Sequence, residues 1–598
     1  MAIKRILAGI VMLVALVLTA ACAAPGQEPT ATPAAAKTPT ASGPTAVPSG
    51  SPTATAIFGQ IGSIDWLDKK FPYPPKPVLG KPVKGGTMHV DTTKWPPLDP
   101  VKIHGIWATF GAYDHLIEQD LDWRDPVIQS TVKMRPQLAE SWDNPDPLTY
   151  VLHLVKGVKF QNIPPVNGRE LTSEDVKFAI EVYQKGGYRE AKVSPIAKIE
   201  TPDKYTVKLT LKQPYAGFIE FFGSPVVAQI FAKEAYEAEG GLAKNVVGTG
   251  PYIAKEIKEG ESFLMVRNPD YWQKDKDGVQ LPYIDNIKGF VMSDISAQIA
   301  AFRSSQTDLT ALVSLRQVQD VLKTNPDLFL YRVPSAIWGT LTMYYRLDKK
   351  PFNDVRVRQA ISMAIDRDRQ VKTLYDGDGD KMGPLPWVWT YPEWPRPYDK
   401  MGKYFQYNPT EAKKLLAEAG YPNGFKMTFQ YAELGTGIVE NGALMVQEDL
   451  RQIGITVDLK RLEAAAKEQL RAEGNWEDVL YDTYYVAGPG LDDMIWFTWH
   501  STASKNGVMS PDRVNDPKID QLLEKRKATP DAAEQKKLLL QLYDYLGEQQ
   551  YRGIQTVYFR YEIQQPWLKN AASAPYNWFR GYGYYQQRAS WLEGAPKR

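Results

Sequence analysis

The chain has 598 residues, of which 43% are hydrophobic and 23% are charged. This composition is that of an ordinary globular protein, and it excludes a collagen, a coiled-coil rod and a wholly disordered chain. Its 71 Lys and Arg residues nearly balance 69 Asp and Glu residues, so the net charge of +2 gives no field that would attract nucleic acid. A single cysteine excludes internal disulfides, cysteine zinc sites and CxxC redox motifs. The length suits two to four compact units.

Residues 1–22 are typical of an export signal. Two basic residues precede an apolar run from Ile6 to Leu18, which is shorter than the roughly 20 residues that span a bilayer. Small residues and the only cysteine, Cys22, follow. The segment resembles a bacterial lipoprotein signal, with Thr19 where that pattern has Leu, and the resemblance implies lipidation at Cys22. An ordinary secretory signal with Cys22 as a bystander is the alternative.

Residues 23–63 are predicted to form a disordered tether. Their first 34 residues are almost all Ala, Pro, Thr, Ser and Gly, so they cannot offset the entropy of ordering. A tether of about 35 residues reaches roughly 30 Å. No later apolar run is long enough for a membrane span. The sequence therefore predicts an exported body, held at the cell membrane by a lipid anchor and facing the periplasm or the cell exterior.

Strands and helices are predicted in alternation along the body. A first strand lies near 86–90, and residues 149–154 and 205–211 alternate apolar and polar side chains, which indicates half-buried strands. Apolar residues at helical spacing follow three helix starts, at Thr172, after Asp354 and at Asn408. The predicted class is therefore mixed, α/β or α+β.

The motifs of catalysis and metal binding are absent from the sequence. Five histidines lack metal-ligand spacing, and His153 is predicted to be a hydrogen-bonded structural residue in a strand. The run Asp376–Asp380 begins like a calcium loop but lacks its Gly and Glu, so a solvated turn is predicted. The glycine-rich stretch 248–252 lacks the lysine of a phosphate loop, and no GxSxG occurs. We therefore expect a protein without enzymatic activity, cofactor or metal.

Five collinear segments carry a family resemblance. They are LAESW (138–142) with TYVLHLVKGVKF (149–160), NGRELTSEDVKFAI (167–180), VGTGPY (247–252) with VRNPDYW (266–272), PFNDVRVRQAISMAIDRD (351–368) and YNPTEAKKLLAEAGYPNGF (407–425). From about residue 84 to the C-terminus, the chain resembles the family 5 extracellular solute-binding proteins of ABC transporters. That family includes oligopeptide, dipeptide and nickel binders.

The resemblance implies a two-lobed periplasmic-binding-protein-like fold of the class II (cluster C) type, with a hinge at which a solute bound between the lobes drives closure. The chain would cross the hinge near Trp338–Thr340 and near Gln555–Val557. The implied partners are an ABC transporter permease and ATPase and a small oligomeric solute, and the protein would be a monomer. The implied divisions are lobe 1 (84–338 plus 558–598, with a subdomain at about 101–240) and lobe 2 (339–557).

The ligand is left open by the sequence. In peptide-binding members an Asp on lobe 2 pairs with the ligand's α-amino group, and Gly488 aligns there. Either Asp492 or Asp493 substitutes, or the ligand lacks that amine. Large aromatic side chains also suit ligand clefts. The candidate ligand-binding residues are Thr249, Gly250, Trp338, Gly339, Trp387, Trp389, Asp492, Asp493, Trp496 and Trp499.

The favoured function is a receptor for a peptide-like solute. The alternatives are the same fold binding an oligosaccharide, and a protein of another class, namely a surface sensor or chaperone-like binder without a transporter, or an enzyme.

Overall fold

The computed structural model describes residues 80–92, 98–101, 111–119, 134–185, 193–222, 229–312, 314–334, 340–391, 397–433, 437–484, 491–504, 510–570 and 590–596. Residues 55–598 form one compact unit. Within the described ranges, we find no helix with the length and apolarity that a membrane span requires. The predicted export signal and the predicted tether, residues 1–63, lie outside the described residues.

The strands, in chain order, are β1 (Thr87–Thr92), β2 (Ile117–Gln119), β3 (Met134–Pro136), β4 (Ala139–Asp146), β5 (Thr149–Leu154), β6 (Ile196–Asp203), β7 (Thr206–Leu211), β8 (Tyr252–Lys258), β9 (Ser262–Arg267), β10 (Asn286–Val291), β11 (Leu309–Leu312), β12 (Phe329–Pro334), β13 (Thr340–Tyr345), β14 (Gly379–Lys381), β15 (Lys426–Tyr431), β16 (Thr456–Arg461), β17 (Val479–Tyr484), β18 (Arg552–Ile554), β19 (Thr556–Gln564), β20 (Leu568–Lys569) and β21 (Trp591–Leu592).

The helices are α1 (Ser173–Gln184), α2 (Phe218–Phe222), α3 (Lys233–Glu237), α4 (Gly241–Lys244), α5 (Ile295–Arg303), α6 (Leu315–Leu322), α7 (Val355–Ala364), α8 (Arg367–Leu374), α9 (Trp387–Thr390), α10 (Pro409–Glu418), α11 (Ile438–Arg451), α12 (Ala464–Glu473), α13 (Leu491–Trp499), α14 (Ser501–Ser504), α15 (Pro517–Ala528) and α16 (Ala532–Gln549). Two short 3₁₀ helices span Tyr398–Met401 and Lys403–Phe405.

Three sheets carry most of the strands. An eight-stranded mixed sheet has the order β12-β19-β11-β1-β10-β9-β8, with β14 paired to β19, and β1 runs parallel to both β10 and β11. A four-stranded antiparallel sheet has the order β4-β5-β7-β6. A five-stranded mixed sheet has the order β16-β15-β17-β13-β18, with β15 parallel to β16 and β17. This architecture confirms the predicted mixed α and β class.

The five-stranded sheet is covered on both faces. Leu341 and Met343 of its strand β13 join a core that α7, α10 and α11 also line. Tyr344, which points to the opposite face, joins a second core with residues of α13, α15 and α16. Successive side chains of a strand point to opposite faces, so β13 is buried along its whole length. Such a strand reads as a continuous apolar run rather than as an alternating one.

Local sequence signals located several elements correctly. Strand β5 coincides with the predicted segment 149–154, and β7 lies within 205–211 with the expected alternation of buried and half-buried residues. Helix α1 follows Thr172, whose backbone N–H donates to the carboxylate of Asp175 at 2.9 Å. Helix α10 begins with Pro409 after Asn408, which caps the backbone N–H of Glu411. His153, in β5, shares a hydrogen bond of 2.8 Å with the carboxylate of Asp143, as predicted for a structural histidine.

The prediction of a solvated turn at Asp376–Asp380 is wrong for two of its three carboxylates. Asp378 and Asp380 are buried, and the end of the run forms β14. Arg332 of β12 donates from Nε to Asp378 at 2.9 Å, and the hydroxyl of Tyr561 donates to the same carboxylate. A buried charge requires a partner of this kind. The sequence run itself shows no sign of it, because Arg332 lies 46 residues earlier.

We expect Arg332→Met to lower the free energy of unfolding by about 3–5 kcal/mol, because it removes the cation that pairs with a buried carboxylate. Arg316→Met is the matched control, since Arg316 pairs with Asp376 of the same turn at the exposed surface. Its cost should stay below about 1 kcal/mol. Urea denaturation of both variants measures the difference, and equal losses would contradict the buried pair.

Candidate functional site

Apart from the short strand β14, which pairs with β19 of the larger sheet, the chain passes between the eight-stranded and the five-stranded sheet at two places. Strand β12 of the larger sheet ends at Pro334 and β13 of the smaller one begins at Thr340, and residues 335–339 lie outside the described ranges. On the return, only Gln555 separates β18 from β19. The family resemblance implies hinge crossings near residues 338–340 and 555–557. A hinge at these positions stays a prediction.

At the return crossing, Gln555 and Thr556 form hydrogen bonds with side chains of residues that lie between the two crossings. The amide of Gln555, which is fully buried, accepts from Nε2 of Gln370 at 2.7 Å and from the hydroxyl of Tyr481 at 3.1 Å. The next residue, Thr556, donates to Gln370 at 3.2 Å and shares a hydrogen bond with the Tyr375 hydroxyl. Burial raises the pKa of both tyrosines, so they remain neutral hydrogen-bonding groups.

A second contact joins residues that precede the first crossing to residues that lie between the two crossings. The ammonium of Lys527, on α15, lies 4.2 Å from the ring centroid of Tyr215 and 4.4 Å from that of Trp496. The backbone N–H of Ala216 donates to the carbonyl of Lys527 at 3.0 Å. Tyr215 belongs to the core of the four-stranded sheet, whereas Trp496 packs against the core beside the five-stranded sheet. We call the set Tyr215, Lys527 and Trp496 the rim contact.

The imidazole ring of His500 stacks on the indole ring of Trp496. The two rings stack with centroids 3.7 Å apart and an angle of 14° between their planes. The imidazole Nδ1 shares a hydrogen bond of 2.7 Å with the Thr502 hydroxyl. Burial lowers the pKa of His500 below its usual 6.5, although the nearby Asp520 and Glu524 act in the opposite direction. His500 is therefore neutral at pH 7, which suits an aromatic stack beside a lysine.

Thr249 and Gly250 are enclosed by other residues of the chain. Thr249 is fully buried, and its hydroxyl donates to Asp114 at 3.1 Å. Asp114 also accepts from the indole of Trp272 at 2.9 Å. A Cβ on Gly250 would lie 2.1 Å from the carbonyl oxygen of Gly111, so only glycine fits this close approach of two backbones. The VGTGPY segment is thus tightly packed against residues 111–114.

The candidate tryptophans occupy different surroundings. Trp387 is 1% exposed, and its indole donates to the carbonyl of Lys381 at 2.6 Å. Trp499 is 2% exposed and lies under the guanidinium of Arg552, whose carbon is 4.1 Å from the ring centroid. Trp496 is only half-buried. Of these three candidates, Trp496 alone presents part of its ring to solvent.

The remaining candidates lie outside the described residues, wholly or in their side chains. Cys22, Trp338 and Gly339 fall in undescribed ranges, as does Gly488. The side chains of Trp389, Asp492 and Asp493 are also outside, although α9 and α13 carry their backbones. Their roles in ligand binding stay predictions.

A buried charge cluster was not predicted from the sequence. The ammonium of Lys467 donates to both carboxylate oxygens of Asp482, at 3.0 and 2.9 Å, and Arg471 reaches the same carboxylate at 3.2 Å. All three side chains are more than nine-tenths buried. The signal that could have located it is the i, i+4 spacing of two cations on α12, which places both on one helix face. Asp482 lies two residues before the end of β17, at the sheet end nearer the crossings.

The described residues contain no group of three or more His, Cys, Asp or Glu side chains that could hold a metal ion.

Comparisons with known proteins agree with this architecture. The glutathione-binding protein GsiB of Escherichia coli O1:K1 is 27% identical over 436 residues, which cover 71% of this chain and 80% of GsiB. The periplasmic binding protein DppA of Helicobacter pylori, solved with the peptide STSA, is 25% identical with a TM-score of 0.68, covering 86% of this chain and 99% of DppA. AgaA of A. tumefaciens R10, solved with agropinic acid, is 25% identical with a TM-score of 0.68, and the match covers 85% of this chain and 99% of AgaA.

The model of the bacterial extracellular solute-binding proteins, family 5, matches residues 133–506, which is more than half of the chain. The chain therefore belongs to this family.

Proposed function

We propose that the protein captures a peptide-like solute between two lobes outside the cytoplasm and delivers it to the permease and ATPase of an ABC transporter. The observation that carries the proposal is the pair of chain crossings between two separate sheets, in a chain that belongs to a solute-binding family. Lobe 1 comprises 84–338 and 558–598, with a subdomain at about 101–240, and lobe 2 comprises 339–557.

A peptide-like ligand is supported by two relatives of this chain. GsiB is named for glutathione, and DppA was solved with the peptide STSA. An oligosaccharide would need exposed aromatic faces, but Trp387 and Trp499 are both buried in cores. The side chain at position 488 has no carboxylate, so we propose that recognition does not depend on an α-ammonium group held there.

The rim contact supports hinge closure as the response to ligand. Lys527 lies in lobe 2 and Tyr215 in lobe 1, so their interaction exists only when the lobes are close together. A ligand shifts an equilibrium between open and closed forms by its differential affinity for them. A contact that stabilises only the closed form adds to that shift without touching the ligand. We therefore assign the rim contact to the closed form.

We further propose a lipid anchor at Cys22 and a tether over residues 23–63, which together hold a monomeric body at the outer face of the cell membrane. The support is the signal pattern that ends at the only cysteine of the chain and the Pro- and Thr-rich composition after it. This arrangement keeps the receptor near its permease.

Peptide-like solutes should raise the melting temperature of the protein. A ligand at a hundred times its Kd adds about 2.7 kcal/mol to the free energy of unfolding. We expect such a shift in a thermal scan with a tripeptide library that includes glutathione, and a smaller radius of gyration by X-ray scattering at saturation. Cello-oligosaccharides are the comparison set. A shift with them alone would overturn the peptide assignment, and an unchanged radius would contradict closure.

The same peptide in free-amine and N-acetylated forms tests the role of position 488. We expect both forms to bind with similar Kd values. If acetylation weakens binding, the same comparison in Asp492→Asn and Asp493→Asn shows whether either carboxylate binds the α-amino group in place of the Asp that position 488 lacks. An undiminished effect of acetylation in both variants would exclude them.

Lys527→Gln should weaken ligand binding about 5- to 30-fold, because it removes a cation that interacts with two aromatic rings in the closed form and each such interaction at a partly exposed site is worth about 0.5–1 kcal/mol. Lys525→Gln is the matched control, since Lys525 lies on the same helix with an exposed side chain. Calorimetric titration of both variants with the ligand found above gives the two Kd values. Equal affinities would show that the rim contact does not bias closure.

Cys22→Ser should release the mature protein from the membrane fraction, because a lipidated N-terminus provides several acyl chains and two are enough for stable anchoring. Cell fractionation followed by immunoblotting measures the distribution. The body should still fold, since the composition of residues 23–56 offers no apolar set that could join its core. Retention of the variant in the membrane fraction would refute the anchor.

A further inference from the structure

A cavity of about 740 Å³ opens at the end of the five-stranded sheet that faces away from the crossings. Tyr345, which lines it, pairs with Val479, whereas Thr340 at the crossing end of the same strand pairs with Tyr484. Tyr345 lies five positions after Thr340 along the strand, which corresponds to roughly 17 Å. The cavity is therefore distinct from a cleft between the lobes.

The carboxylates of the cavity wall are already engaged by arginines. Asp348 accepts from Nε and Nη2 of Arg346 at 2.8 and 2.7 Å. Asp512, which is buried, accepts from Nε and Nη2 of Arg552 at 2.6 and 2.7 Å. Each of these carboxylates thus forms a bidentate pair, the strongest arrangement for these groups. Neither leaves a negative charge for the rest of the wall.

Two further arginines of the wall have no carboxylate partner among the described residues. Arg358 is 3% exposed and donates only to backbone carbonyls, those of Gln549 at 3.0 and 2.8 Å and of Phe352 at 2.7 Å. Arg513 donates to the backbone carbonyl of Glu473 at 2.6 Å. Arg358 also lies over the ring of Tyr551, with its guanidinium carbon 5.1 Å from the ring centroid, and within the described ranges neither arginine forms an ion pair that cancels its charge. The wall therefore carries an excess of positive charge.

The aromatic part of the wall adds a donor that lacks an acceptor. Trp476 is 2% exposed, and its indole N–H has no hydrogen-bond partner in the described part of the chain. Buried indole N–H groups usually have one. A volume of about 740 Å³ lies within the range of about 300–1,000 Å³ that is typical of small-molecule sites.

We propose that this cavity is a second ligand site, which takes a small organic anion whose carboxylate or phosphate group is neutralised by Arg358 and Arg513. The flat walls of Tyr345, Trp476 and Tyr551 favour an aromatic or otherwise planar body for that anion. The site acts independently of the solute held between the lobes.

Fluorine NMR on the full chain tests the proposal with three probes of similar size. They are 4-fluorobenzoate, 4-fluorophenyl phosphate and the neutral 4-fluorobenzyl alcohol. We expect saturable binding of at least one of the two anions, with the alcohol at least tenfold weaker. The first two probes distinguish a carboxylate site from a phosphate site. Equal binding of the alcohol, or no binding of either anion, would overturn the proposal.

Arg513→Glu should weaken binding of that anion at least tenfold. Arg513 lies at the surface, so the variant should fold, and Lys413→Glu on α10 is a control with the same change of charge. Unchanged binding to Arg513→Glu, or equal losses in the two variants, would refute the assignment. Saturation with a solute of the interlobe cleft should leave the anion's Kd unchanged. Displacement by that solute would show that the two sites are one, and this result would leave the proposed receptor function intact.

Discussion

Strand β19 pairs with both parts of the chain, and the arrangement of the two large regions depends on it. Its first three residues pair with β14, which belongs to the segment between the crossings, and its later residues pair with β11 and β12. The buried carboxylate of Asp378 fixes this junction, because Arg332 and Tyr561 of the larger sheet both bind it. Separating β14 from β19 would expose or unpair that charge. Strands β12 and β14 and the whole of β19 are therefore held together around one buried charge.

The sequence predicted those elements whose signals are local. Alternation located β5 and β7, and capping residues located the starts of α1 and α10. The prediction of a solvated acidic turn was wrong because its signal is not local. The burial of Asp378 depends on Arg332, which lies in a strand distant in sequence. The tryptophans show the same limit at the candidate site. Nothing in their flanking residues distinguishes Trp387, which is buried, from Trp496, which lies half-exposed in the rim contact, because tertiary packing decides both.

The proposed closure would need a small energetic bias from the protein and a larger one from the ligand. A rim contact of one cation between two rings supplies a bias of a few kcal/mol at most. The neutral His500 behind Trp496 keeps a second positive charge away from Lys527. A stronger contact would hold the empty protein closed and block entry of the solute. The modest size of this interaction therefore suits a protein that must open to load and to release.

Strand β18 lies between the cavity of the proposed anion site and the return crossing at Gln555. Tyr551 lines the cavity, and only Arg552–Ile554 lie between it and Gln555. The fully buried pair of Arg552 and Asp512, capped by the ring of Trp499, holds this short strand in place. Breaking such a buried pair typically costs about 3–5 kcal/mol. With β18 held in this way, the proposed anion site is expected to bind its ligand independently of the solute.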